Sequence, residues 1–193
     1  MKITEYTPKI IATKEDNTIP LLQFIYDNFS FGSVGVEFGS GHTSTYILGE
    51  KYMMTSFEEN QDYMDLRYRT RLVYSAIIDG WFELETIKRM MPKKNKFVFI
   101  DAPSSIEYRR NILRISHIFE KSGTIIYNLQ TQTDYELAIH LSVKLKRNFK
   151  EYKVGECRFA VIGMSKARLF FHKISNFLKL SKKPKIEIEL NNY

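Results

Sequence analysis

The chain reads as an α/β fold, a mostly parallel β-sheet with an antiparallel last strand and helices on both faces. Three observations predict it. Short apolar, β-rich runs alternate with amphipathic segments of about 10–15 residues, the pattern of βαβ units. The run KFVFIDAP is continuously apolar and bounded by a lysine cluster and Pro103, as expected of a strand covered on both faces. The last two β-rich runs, FKEYKV and CRFAVIGM, are joined by a short turn at Gly155. That is hairpin geometry, and it makes at least one final strand antiparallel.

The elements follow in order. TIPLLQFIYDNF (18–29) predicts a helix with Thr18 at its cap and Pro20 in its first turn. SVGVEFG is a strand ending in glycine, and a helix follows from about Thr43. YMMTSFEE is a second strand and QDYMDLRYRTRL a helix; LVYSAII (72–78) suits strand or loop. FELETIKRMM is a helix, KFVFIDAP the central strand, and residues 106–120 an amphipathic helix. GTIIYN is a strand and DYELAIHLSVKLKRNF a helix before the closing pair.

The 193 residues suit one domain and a tail, here divided at 1–163 and 164–193. With 44% hydrophobic and 26% charged residues, wholesale disorder, collagen-like and coiled-coil readings are excluded. The single Cys157 excludes an internal disulfide and a cysteine-rich zinc site. The four histidines are far apart and show no ligand spacing, so no structural metal is expected. The N-terminus has no apolar h-region and no run approaches 18 apolar residues, so a cytoplasmic location is the expectation. Net charge is +7. Residues 164–193 carry seven Lys or Arg and two Glu, a net of +5, and residues 1–163 carry 22 basic and 20 acidic side chains, a net of +2. A nearly neutral body argues against a nucleic-acid groove covering the fold, whereas the basic tail suits an anionic surface.

Open α/β sheets bind ligands outside the carboxyl ends of their strands. After the first comes Glu37-Phe38-Gly39-Ser40-Gly41-His42-Thr43-Ser44. Two glycines permit a tight turn and a close backbone approach, and the next helix offers free N–H groups. Ser44 stands where a nicotinamide fingerprint has its third glycine. A carboxylate at Glu37 suits an ammonium-bearing ligand better than a pyrophosphate. The second strand ends at Glu58, 17 residues beyond Gly41, where an acid accepts bonds from both hydroxyls of a ribose. The third region ends in Ile78-Asp79-Gly80-Trp81, the fourth in Asp101-Ala102-Pro103 and the fifth in Tyr127-Asn128.

In these residues the chain resembles the class I S-adenosylmethionine-dependent methyltransferases, over about Gly35 to Gly163. The resemblance rests on Glu37-x-Gly39-x-Gly41, on Glu58, on Asp101 and on the closing hairpin. It implies a Rossmann-like, seven-stranded sheet and S-adenosylmethionine as cofactor. Gly39 and Gly41 would lie against the methionine part, Glu37 would orient its amino group directly or through water, Glu58 would hold the ribose, and Asp79 would lie on the adenine side. FGSGHTST, SFEEN, Gly-Trp and FIDAP together look like the branch of glucuronoxylan-type polysaccharide O-methyltransferases, which has an Arg-rich segment after the acid-x-Pro element. Here that segment ends in Arg109-Arg110, which would bind a carboxylate or phosphate of the acceptor. An acid is common in that branch after the fifth strand, where this chain has Asn128.

Transfer to a hydroxyl needs a base, with Asp101 the first candidate and His42 the second. The acceptor implied is a small hydroxyl compound or a glycan. Two other readings compete. A nucleic-acid acceptor lacks the Asn-Pro-Pro-Tyr or Asp-Pro-Pro-Tyr element of amino-group methyltransferases, and a non-catalytic module would bind a partner through its basic tail. Within the tail, Phe170, Ile174, Phe177 and Leu178 recur at helical spacing, which suits packing on the body, on a second subunit or on an anionic membrane. KKPKIEIELNNY alternates like an edge strand, a form suited to association and to a homodimer.

Overall fold

The computed structural model describes residues 9–12, 18–41, 43–64, 69–103, 105–163 and 187–190. Strands β1 (Lys9–Ala12) and β11 (Glu187–Leu190) pair in parallel as a small sheet of their own. The edge-strand pattern near the C-terminus thus finds a partner within the chain. The other reading of the tail, a helix around 167–180, lies outside the described residues, as does His42.

The main sheet has seven strands. They are β2 (Val34–Phe38), β3 (Met53–Glu58), β4 (Arg71–Tyr74), β7 (Phe97–Ile100), β8 (Thr124–Asn128), β9 (Phe149–Val154) and β10 (Cys157–Ile162), in the order β4-β3-β2-β7-β8-β10-β9. All neighbours are parallel except β10, which is antiparallel to both β8 and β9. The predicted antiparallel closing strand is therefore present. It arises because Gly155, at φ 59, turns the chain back within two residues.

Side chains alternate across the sheet and build two cores. On one face α1 (Ile19–Asn28) and α2 (Ser44–Lys51) lay Leu21, Leu22, Ile25, Ile47 and Leu48 on Met54, Phe97, Phe99, Ile126, Phe159 and Val161. On the other, α3 (Leu84–Met90), the segment 106–120 and α5 (Gln132–Lys144) cover Val36, Phe38, Phe57, Val98, Ile100, Ile125 and Tyr127. The central strand β7 is wholly buried, as its unbroken apolar run requires.

Three expectations are corrected. Of the helix read from Gln61 to Leu72, the described residues hold a 3₁₀ turn at Gln61–Tyr63 and, at Arg71–Tyr74, the edge strand β4; residues 65–68 lie outside the described residues. Pairing of Leu72 and Val73 with Ser56 and Phe57 outweighs helical periodicity there. The helix read over 106–120 breaks into a four-residue α4 (Ile106–Arg109) and two 3₁₀ turns, Arg110–Leu113 and Ser116–Phe119. Carbonyls in and just after this segment find other donors: Lys144 bonds Leu113 O, and Arg147 bonds the carbonyls of Phe119, Glu120, Ser122 and Gly123. The third correction concerns the end of the strand read ahead of Asp79. The sheet strand in this region ends at Tyr74, and Asp79-Gly80 are the centre of a separate hairpin, β5 (Ile77–Ile78) and β6 (Trp81–Phe82). Both turn residues have positive φ, 51 and 74, which is a type I′ turn. Among the described residues no helix is long and apolar enough to cross a membrane.

Candidate active site

The ladder hydrogen bonds run one residue past the strand ends. Asp101 N donates to Phe38 O, Gly39 N to Phe57 O and Ser75 N to Glu58 O. Because Phe38 pairs with Phe57 and with Ile100, and Ile100 with Tyr127, the residues just beyond form one row at the carboxyl edge. The row is Glu58, Gly39, Asp101, Asn128, with neighbouring strands about 4.8 Å apart. Four positions from four separated segments thus meet at one mouth.

Gly39 is required twice. Its φ is +90, and an added Cβ would lie 2.4 Å from Ala102 Cβ. The glycine turn therefore closes directly against the loop that carries Asp101. Glu58 holds the turn from the other side. One carboxylate oxygen accepts from Ser40 N (2.7 Å) and Ser40 Oγ (2.9 Å), and the other from Asn60 N (2.8 Å). Each oxygen has two acceptor positions, so the carboxylate retains capacity for a hydroxyl.

Glu37 lies beneath the turn, fully buried. Its Oε2 accepts from Thr45 Oγ1 (2.8 Å) and Ser56 Oγ (2.6 Å), while Thr45 Oγ1 in turn accepts from Gly41 N at 2.9 Å. Glu37 therefore shapes the glycine turn through Thr45. In this arrangement it touches no surface, whereas the resemblance implies that it orients a ligand's amino group directly or through water. Its Oε1 has no hydrogen-bond partner, so a buried acceptor remains open to a cationic donor.

Burial pushes the Glu37 carboxyl up to about 7 from 4.5, against the hydrogen bonds from Ser56 and Thr45 that lower it, with the charge of Asp101 adding to the rise. The folded state then binds the proton more tightly than the unfolded chain. The stabilisation is complete below pH 4.5 and is lost as pH rises to about 7. We expect wild-type stability to fall over this window by on the order of 3 kcal/mol relative to Glu37→Gln, measured by urea unfolding at each pH. Parallel profiles for the two proteins would contradict this.

Asp101 Oδ1 accepts from the side-chain amides of Asn128 (2.7 Å) and Gln130 (3.2 Å). Neither residue is an evident candidate in the sequence, where Asn128 stands out only by replacing an acid. Arg109, expected at the acceptor, is only 2% exposed. Its guanidinium bonds Pro103 O (2.6 Å), Asp101 O (2.7 Å) and the buried Asp134 (3.2 Å). It holds the Asp101 loop from below and does not face a ligand in this arrangement. Arg110, next in sequence, is exposed. Asp79 is exposed in its hairpin turn, and the position beside Glu58 is taken by the buried Ser75, whose Oγ has no hydrogen-bond partner. Asp134, also missed in the sequence, completes a capping box with Thr131 that starts α5. Among the described residues no group of three or more His, Cys, Asp or Glu side chains is placed to hold a metal.

No protein-family model matches the chain, and no curated protein matches it in sequence. Solved structures do match in fold. The precorrin-6Y C5,15-methyltransferase of Geobacter metallireducens GS-15 superposes with a TM-score of 0.56 at 13% identity, over 81% of this chain and 94% of that one. The METTL16 MTase domain gives 0.58 at 14% identity, over 81% and 71%. A TehB-like SAM-dependent methyltransferase from Corynebacterium glutamicum gives 0.53 at 10% identity, over 75% and 86%. With the strand order and the antiparallel β10, these superpositions give the chain the fold shared by class I S-adenosylmethionine-dependent methyltransferases.

Proposed function

We propose that the chain is an S-adenosylmethionine-dependent methyltransferase whose acceptor is a hydroxyl of a sugar or other small molecule. The observation that carries this reading is the row at the carboxyl edge, where the glycine turn and Glu58 stand beside the amide-held carboxylate of Asp101. The cofactor fits what is present: a glycine turn for close approach, a ribose-side carboxylate in Glu58, and a buried acceptor without a partner in Glu37 Oε1. When bound, it supplies an electrophilic methyl on a sulfonium.

The protein's task is then to orient, to exclude water and to take a proton. Glu58 and the turn at Gly39 hold the cofactor. Asp101 takes the acceptor's proton, and Asn128 and Gln130 fix its rotamer by bonding one oxygen. Arg109 and Asp134 keep the loop carrying Asp101 from moving. The acceptor-side roles of Arg110 and His42 remain part of the proposal; His42 is outside the described residues.

The test is methyl transfer from labelled S-adenosylmethionine to a panel of uronic acids and other sugars, with kcat measured across pH. Asp101→Asn is expected to lower kcat about 10²-fold or more while cofactor affinity changes by less than about three-fold, or ~0.7 kcal/mol. Normal turnover by Asp101→Asn at every pH would remove the base assignment.

A further inference from the structure

The opposite end of the sheet carries a second feature. Three segments meet at the amino ends of the parallel strands. Residues 92–96 (Pro-Lys-Lys-Asn-Lys) lead into β7, residues 120–123 (Glu-Lys-Ser-Gly) lead into β8, and Lys146-Arg147-Asn148 lead into β9. Between them lie two concavities of about 460 and 600 Å³. They share Asn95, Lys121 and Ser122 as walls and so form one continuous groove.

Cations stand along both concavities, the first of which is also walled by Ile87, Met91, Pro92 and Ile118. Lys88 and Lys93 stand on the first concavity, Lys121 on both, and Lys96, Lys146 and Arg147 on the second. Among the described residues no carboxylate lines either. Lys88 pairs with Glu85, but among the described residues no acid pairs with Lys93, Lys96, Lys121, Lys146 or Arg147. Among the described residues Arg147 bonds backbone carbonyls alone, those of Phe119, Glu120, Ser122 and Gly123, so its charge is fixed in place and no carboxylate neutralises it.

Lys146 adds a second, independent sign. It closes α5 in a Schellman motif, with its own N–H on Val143 O and that of Arg147 on Ser142 O. Its φ is 54, a left-handed conformation that costs a lysine about 1 kcal/mol and glycine nothing comparable. The chain keeps a cation at a position where glycine gives the better helix end.

We propose that this groove binds the phosphodiester backbone of a nucleic acid. Five uncompensated cations along two adjoining concavities suit a ligand with repeated negative charge. A flat anionic surface would not enter a groove. Among the described residues the lining includes no Phe, Tyr or Trp ring for a base to stack on, His117 being its one ring, so recognition is chiefly of backbone and independent of sequence. The chain also continues from Gly163, which lines the groove, into residues 164–193 with seven basic and two acidic side chains. The groove is at the far end of the sheet from Gly39, Glu58 and Asp101, so the inference goes beyond the methyl-transfer reading and does not depend on it.

The test uses the full chain and a fluorescein-labelled, mixed-sequence 20-nucleotide RNA, with anisotropy read from 50 to 200 mM salt. The triple variant Lys93→Gln/Lys96→Gln/Lys121→Gln is expected to bind at least ten-fold more weakly. Its slope of log affinity against log salt should flatten by about 2, from ~0.7 per lost phosphate contact. Lys146→Gly is expected to bind about three-fold more weakly while its melting temperature rises, which separates the groove from folding. S-adenosylmethionine titration of the same variants should be unchanged, so failure here is distinguishable from failure of the methyltransferase reading. The tail variant Lys182→Gln/Lys183→Gln/Lys185→Gln removes the same charge elsewhere. Absence of RNA binding at 50 mM salt overturns the proposal. So does a loss that follows the tail variant and spares the groove variant, or equal affinity for polyglutamate of the same charge.

Discussion

Arg109→Ala is expected to destabilise the fold by about 3–5 kcal/mol, the range for removing one partner of a buried ion pair. The side chains of Arg109 and Asp134 are 2% and 1% exposed, so neither charge is relieved by water. The loss reaches further than the pair. Removing the guanidinium strips donors from Pro103 O and Asp101 O, and both carbonyls belong to the loop that presents Asp101. Asp134 keeps its bonds from Thr131 and from Gln130 N, so α5 retains its cap while the loop is released. Urea unfolding should show a lower midpoint at an unchanged slope. A loss below 1 kcal/mol would mean that Arg109 is not the strut described here.

Glu58→Ala is expected to weaken S-adenosylmethionine binding by at least about 100-fold, or ~2.7 kcal/mol. Glu58 is 4% exposed, and its carboxylate accepts from the backbone and hydroxyl of Ser40 and from Asn60 N. Alanine removes both the ribose-side acceptor and the brace on the glycine turn. Glu58→Gln separates the two, since its amide oxygen still accepts from Ser40 while the charge is gone. It should lose about ten-fold, ~1.4 kcal/mol. Calorimetry on the three proteins gives the comparison, and wild-type affinity in Glu58→Ala would remove this residue from the cofactor site.

The sheet was legible because its signals are local. An unbroken apolar run marks β7, and a glycine turn of two residues marks the β9–β10 hairpin. The turn at Gly39 was legible for the same reason, although its need for glycine comes from Ala102, a contact across strands that no spacing reveals. Arg109 was not legible as a strut. It sits where α4 gives way to a 3₁₀ turn, and in so irregular a segment periodicity does not say which side chain points inward. Asn128 and Gln130 read as a departure from an expected acid, and only the register of β7 with β8 turns them into the donors that hold Asp101. The end of the third sheet strand was not legible because LVYSAIIDG holds two structures, a sheet strand and a hairpin arm. The basic groove was hidden by arithmetic: residues 1–163 are nearly neutral overall, but the sheet gathers lysines from three distant segments at one end.

The central claim is that the mouth formed by Gly39, Glu58 and Asp101 is a site for S-adenosylmethionine. Calorimetric titration of the purified protein with S-adenosylmethionine and, separately, NADH tests it most directly. Micromolar binding of the sulfonium cofactor, about −8 kcal/mol, with no heat from NADH is the result predicted. Binding of NADH alone, or of neither ligand, would contradict it.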